Sequence, residues 1–221
     1  MALVGKPLFS VWSYRFAGLD PSNGDPIGIL NGVPSKNYVA ILANTNPDSL
    51  QYHGSGRPTL YGALRQDFSY KNFSLSFNIT YKGGHYFRTN SIGLNYTDLI
   101  TSRAHLDYSY RWQKPGDEQN TSIPSVVYPV NTPRASFYTA SSVLVERADH
   151  IRLQDIRIAY QLNTRNSRIA HLEFYGYLNN LGLLWKANKK GIDPDANDAS
   201  LGLDNIPPMR TYTIGLKLHL K

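Results

Sequence analysis

Phe73-Ser-Leu-Ser-Phe-Asn-Ile-Thr-Tyr81 alternates without a break. Successive side chains of an extended chain point to opposite faces, so Phe73, Leu75, Phe77, Ile79 and Tyr81 share one side and Ser74, Ser76, Asn78 and Thr80 the other. The stretch is a strand with one greasy face and one polar face. Just before it, Leu60, Leu64, Phe68 and Tyr70 oppose Arg65, Asp67 and Ser69, with Gln66 an exception on the greasy face. Lys71-Asn72 then joins two strands as a tight hairpin turn. Further on, Ile156, Ile158, Tyr160 and Leu162 alternate with Asp155, Arg157, Ala159 and Gln161. Leu172, Phe174 and Leu178 oppose Glu173, Tyr175, Tyr177 and Asn179, and Tyr212, Ile214, Leu216, Leu218 and Leu220 oppose Thr211, Thr213, Lys217 and His219. With a further strand at the start, the pattern predicts six antiparallel strands near residues 8–16, 60–70, 73–88, 148–162, 169–180 and 210–220, in up–down order without crossover helices.

The connections are of two kinds. Lys71-Asn72 and residues 163–168 are short, whereas residues 17–59, 89–147 and 181–209 are long, polar and rich in Gly, Pro, Asn and Asp. Ordinary soluble domains connect their elements through about 4–6 residues. Short turns alternating with long loops are expected of an outer-membrane barrel, whose turns lie on the periplasmic side and whose loops lie outside. The fold class expected is therefore all-β, an antiparallel transmembrane β-barrel segment with long extracellular loops. Periodicity leaves open a soluble β-sandwich, which would read as an all-β glycan-binding module.

Composition agrees with many strands and turns: 16 Tyr, 17 Gly and 13 Pro against 2 Met in 221 residues. No run approaches the roughly 18 apolar residues of a spanning helix. Cysteine is absent, so no thiolate is available as ligand or nucleophile. A net charge of +7 raises nucleic acid as a partner, but the cations are dispersed and no recognition motif accompanies them. The start, Met1-Ala-Leu-Val-Gly-Lys6, has no signal-peptide pattern, which for an exported barrel suggests a piece of a longer chain.

Catalytic signatures are lacking. The six histidines are scattered, and neither a nucleophile elbow nor a phosphate loop nor a dinucleotide fingerprint occurs. No enzymatic activity, cofactor or metal is expected. Asp193-Pro-Asp195-Ala-Asn197-Asp198, followed by Asp204, places oxygen donors as a calcium loop would, but Asp198 replaces the usual glycine and a solvated acidic loop is the preferred reading. Arg111, Trp112 and Trp185 fall in outer loops, where aromatic faces and a guanidinium could contact substrate or a lid, or pack the loops on each other.

Four strings, Leu19-Asp-Pro-Ser-Asn-Gly-Asp-Pro26, Arg111-Trp-Gln-Lys-Pro-Gly-Asp-Glu118, Asp149-His-Ile-Arg-Leu-Gln-Asp155 and Asn179-Asn-Leu-Gly-Leu-Leu-Trp185, resemble landmarks of SusC/RagA-type TonB-dependent transporters, in family order. Lys190-Gly-Ile-Asp-Pro-Asp195 follows as it does in that family. The resemblance covers nearly the whole chain and implies the C-terminal portion of a 22-stranded outer-membrane barrel from a Gram-negative bacterium. Its plug and its TonB-contacting segment would lie in N-terminal regions that are absent here. It implies TonB-energised uptake of oligosaccharides or peptides, a SusD-type surface lipoprotein as lid, and outer-membrane lipid around the barrel. The last strand, Thr213-Ile-Gly-Leu-Lys-Leu-His-Leu220, also resembles a barrel assembly signal built on Gly215, Leu218 and Leu220, although it ends Leu220-Lys221 where such proteins usually end on an aromatic residue.

Overall fold

The computed structural model describes residues 4–44, 46–92, 105–163, 169–198, 203–204, 207 and 209–220. Its strands are, in chain order, β1 (Ser10–Tyr14), β2 (Phe16–Leu19), β3 (Pro26–Leu30), β4 (Val33–Ser35), β5 (Leu50–Ser55), β6 (Leu60–Tyr70), β7 (Phe73–Gly83), β8 (Tyr86–Arg88), β9 (Val145–Arg147), β10 (His150–Asn163), β11 (Ile169–Lys186), β12 (Asn197–Asp198), β13 (Leu203–Asp204) and β14 (Thr211–Leu220). Two short α-helices accompany them among the described residues, α1 (Tyr38–Ala43) and α2 (Thr132–Thr139). The protein is mostly antiparallel β structure. None of its described helices is long and apolar enough to cross a membrane, which says nothing about strands. Two compact units emerge: Met1–Gly56 with Tyr86–Glu146, and Arg57–His85 with Arg147–Lys221.

The second unit is built on one five-stranded sheet of order β6-β7-β10-β11-β14. Every neighbouring pair is antiparallel. Tyr70 pairs with Phe73 across Lys71-Asn72, and Lys71 takes the left-handed φ of 55° that closes the turn. The register stacks like with like. Phe68, Leu75, Ile158 and Ile214 belong to one row across the sheet, and Asp67, Ser76, Arg157, Tyr177 and Thr213 to the next, on the other face. Of the two register shifts between β10 and β11, the one at Gln154 also interrupts the β7 pairing and bends β10. There the Gln154 amide donates to Asn180 Oδ1 at 2.9 Å. The sheet does not close on itself, since β6 and β14 each have a neighbour on one side only among the described residues.

The first unit gathers most of two stretches the spacing marks as loop, 17–59 and 89–147, together with parts of two expected strands. β1 pairs with β5, β2-β3-β4 form a small meander, and β8 pairs with β9. Asn37 and Asn131 cap α1 and α2 by accepting from Ala40 N and Arg134 N, each at 3.1 Å. Tyr38, Ile41 and Phe137 form one buried cluster against Tyr14, Phe16 and Leu30. Ile92, Tyr138 and Leu144 form another. Phe137 is fully buried, and Gly28 makes room for it: a Cβ there would sit 2.7 Å from its ring.

Three expectations are corrected. The first strand is shorter than 8–16 and belongs to the first unit, because Tyr14 and Phe16 pack into the Phe137 cluster rather than extend the sheet. The strand beginning at Phe73 ends at Gly83; Gly84 turns with φ 72° and the chain pairs anew at β8. Most visibly, β11 runs on to Lys186, so Trp185 lies on a strand and not in a loop.

Candidate functional site

The two faces of the five-stranded sheet are the first candidate. Leu64, Phe68, Phe73, Leu75, Ile158, Phe174, Tyr212, Ile214, Leu216 and Leu218 are all exposed, Ile214 at 94 %. On the opposite face the inner strands β7 and β10 are the buried ones, with Ser76, Arg152, Asp155 and Ala159 all buried. A soluble sheet does the reverse, because apolar area left in water costs about 25 cal/mol per Å². Among the described residues both buried hydrophobic clusters belong to the first unit, and neither draws on this sheet. The inner face is instead laced with polar contacts. Asn78 Nδ2 donates to Asp155 Oδ2 at 3.2 Å, and Arg157 pairs with Glu173 and lies over the Tyr175 ring.

Aromatic residues mark both ends of the apolar face. Tyr70, Phe73, Tyr160 and Phe174 occupy one row, with the Phe73 and Tyr160 rings 4.7 Å apart. At the other end, Tyr81, Ile151 and Trp185 share a row, and Trp185 is half-exposed. Eight residues separate Phe73 from Tyr81, about 27 Å along the strand.

Near the second end, the inner face holds a charged clasp. Arg152 Nη2 donates to both carboxylate oxygens of Asp193 at 2.5 and 2.7 Å, and its Nε donates to Asp195 at 3.1 Å. Lys82 Nζ reaches Asp195 at 2.6 Å. His150 faces the Ala148 carbonyl with Nδ1 and the Asp195 carboxylate with Nε2, and a protonated ring would donate to both. Burial alone would raise the Asp195 carboxyl, but hydrogen bonds from His150 and Lys82 outweigh it and hold the group well below the usual carboxylate range. The calcium-like string is thus tied to the strand through its first two aspartates. Asn197, Asp198 and Asp204 have side chains outside the described residues, and no group of three or more metal-ligating side chains occurs among the described ones.

The second candidate lies in the first unit, where two of the landmark strings meet. The Trp112 ring covers Gly24 so closely that a Cβ there would lie 2.4 Å from it. Trp112 is buried, and its Nε1 donates to Glu118 Oε2 at 3.2 Å. Asp117 Oδ2 accepts from the backbone of Gln113 and Lys114, both at 3.0 Å. The string therefore folds on its own carboxylates. Arg134 of α2, 2 % exposed, donates to Asp25 Oδ1 at 2.7 Å, Ser125 Oγ at 3.0 Å and the Gly24 carbonyl at 3.3 Å. Lys36 donates to Asp20 at 2.6 Å. That contact and the hydrogen bonds from Ser22 hold the Asp20 carboxyl well below its ordinary range. A surface pocket of about 470 Å³ opens here, lined by Ser22, Asn23, Arg111, Gln113, Ser125 and Val127 among others. The Arg111 guanidinium stacks 3.9 Å from the Tyr108 ring centroid and donates to the Tyr108 carbonyl at 2.8 Å.

Of the site residues expected from sequence, Arg111 and Trp112 come together at this pocket, and Trp185 sits on the sheet. Gly215, Leu218 and Leu220 all lie on the edge strand β14. A Cβ on Gly215 would fall 2.2 Å from Tyr175 Cζ across the strand pair. The Arg134–Asp25 pair and the Arg152 clasp were not legible in the sequence, although two of the four strings and the Lys190–Asp195 string that follows them contribute to them.

No family model matches the sequence, and no curated protein matches it. Solved structures do. A chain of the RagAB peptide importer in its open-open state superposes with a TM-score of 0.65 at 18% identity, over 99% of this chain and 24% of that one. A second structure of the RagAB peptide transporter gives 0.66 at 19% identity, over 95% and 22%, and the importer's closed-closed state gives 0.66 at 19%, over 94% and 22%. The chain spans about a quarter of the length of the chains it matches. At such identity the likeness is one of fold.

Proposed function

We propose that this chain is the C-terminal portion of the barrel of an outer-membrane nutrient transporter of the SusC/RagA type. The sheet with its greasy side out and its polar side in carries the reading, and the fold shared with the RagAB importer supports it. Lipid covers Phe73, Leu75, Ile158 and Ile214. Tyr70 and Phe73 belong to the periplasmic girdle, and Trp185 with Tyr81 to the outer one, since barrels flank an apolar band about 25 Å tall with aromatic residues. The remaining strands of a complete barrel pair with the edges β6 and β14, which in lipid could not stay unpaired.

In that complete protein, TonB-derived energy would drive import of oligosaccharides or peptides, without catalysis by this portion. The long connections belong to the extracellular side of such a barrel. A SusD-type lipoprotein is its partner, and the pocket beside Arg111 and Trp112 contributes to lid contact or to the substrate chamber. Replacing Arg111 by Ala in the complete transporter tests this. Uptake or lid co-purification falls while the barrel still inserts; both unchanged would remove Arg111 and its pocket from the mechanism.

A further inference from the structure

The six histidines look scattered in sequence, and His171 and His219 are 48 positions apart. The register of β11 and β14 makes them direct cross-strand partners. Their rings are stacked, with centroids 4.0 Å apart and planes 25° from parallel. Both are partly buried. They share the sheet's polar face with Glu173 and Lys217, two residues away on either strand. Glu173 is occupied by Arg157. The four imidazole nitrogens have no hydrogen-bond or ion-pair partner among the described residues.

We propose that His171 and His219 form a bidentate site for a borderline divalent transition-metal ion, joining the last two strands. Two bonds of about 2.0–2.1 Å to one ion place the ligating nitrogens about 3 Å apart. The rings lie side by side, 4.0 Å apart and 25° from parallel, and rotations about χ1 and χ2 that turn them out of the stack bring one nitrogen of each to a common point. On the other side of His171 stands Asn163 of β10, whose amide oxygen accepts from Gln161 at 3.3 Å. No third histidine or carboxylate completes a closed cage among the described residues, so water fills the remaining positions and the ion stays exchangeable. Imidazole donors suit Cu²⁺, Ni²⁺ and Zn²⁺ and leave Mg²⁺ and Ca²⁺ to oxygen sites, with Cu²⁺ bound most tightly. Bound metal would staple β14 to β11. The inference stands on register and ring geometry and does not depend on the transport reading.

The test uses the complete protein that carries these residues, purified in detergent micelles and titrated with Cu²⁺ for electron paramagnetic resonance and with Ni²⁺ for calorimetry, each read against the same protein carrying both His171→Gln and His219→Gln. The expected result is one tight ion per chain with two coordinated imidazole nitrogens. His171→Gln and His219→Gln each weaken it roughly tenfold or more, whereas His105→Gln changes nothing. A second readout needs no variant: bound Ni²⁺ protects His171 and His219 together from diethylpyrocarbonate acylation, read by mass spectrometry. Unchanged affinity in either single variant, or equal acylation of both histidines with and without the ion, overturns the site.

Discussion

Gly215 shows how one residue can answer to two causes. It sits within the C-terminal pattern that resembles an assembly signal, and it also lies beneath Tyr175, whose ring leaves no room for a Cβ. Gly215→Ala should therefore cost about 1–3 kcal/mol by overpacking, measured as urea stability of the inserted protein. Pairing it with Tyr175→Ser should recover most of that loss. A double variant that still fails to insert would assign Gly215 to recognition by the insertion machinery instead. The Asp20–Lys36 contact gives a pH prediction. The folded carboxyl is depressed, so its stabilisation is whole above the unfolded value of about 3.9 and is lost as pH falls through the folded one. The melting difference between parent and Asp20→Asn should be present at pH 7 and shrink in acid; a difference that widened in acid would contradict the assignment. Neither the Tyr175 contact nor the Arg134–Asp25 pair was legible in the sequence, because each joins residues brought together only by register or by tertiary packing.

The strands were legible. β6 begins and ends where alternation begins and ends, and the Lys71-Asn72 turn falls where two such runs meet with two residues between them. Period 2 fixes which residues share a face, so the partition into greasy and polar sides carried through to the register intact. What alternation could not supply was sheet membership. Residues 10–14 alternate as well, yet they pair with β5 in another unit. Nor could polarity alone separate a bare loop from a small unit held by Asn caps and an aromatic cluster. The face assignment predicts unequal tolerance. Phe77→Arg or Ile158→Arg in the full-length protein should cost about 2–4 kcal/mol near the midplane, and Thr213→Arg on the polar face about 1 kcal/mol or less. Refolding titrations in lipid that gave equal costs on the two faces would defeat it.

As a whole, the molecule combines a unit with its own buried core and a sheet that has none on its apolar side. That combination explains why composition was uninformative about solubility: 41 % hydrophobic residues is ordinary, and only their placement is unusual. Trp185 carries the prediction at this scale. With Trp12, Trp112 and any tryptophan elsewhere in the complete transporter replaced by Phe, fluorescence from Trp185 should be quenched by lipids brominated near the headgroup more than by lipids brominated at the chain ends; quenching by neither would take it off the membrane surface. These 221 residues contain no cysteine, so once any cysteine elsewhere in the transporter is replaced by serine, a more direct measurement addresses the central claim, that the sheet stands in a bilayer with its apolar face to lipid. Single cysteines are placed in turn at residues 73 to 81 of the full-length transporter, spin-labelled and reconstituted, and the collision rate with oxygen is read against that with a water-soluble nickel chelate. The account predicts a period of two, with oxygen favoured at 73, 75, 77 and 79 and disfavoured at 74, 76, 78 and 80. Nickel chelate reaching the odd positions as freely as oxygen does would contradict it.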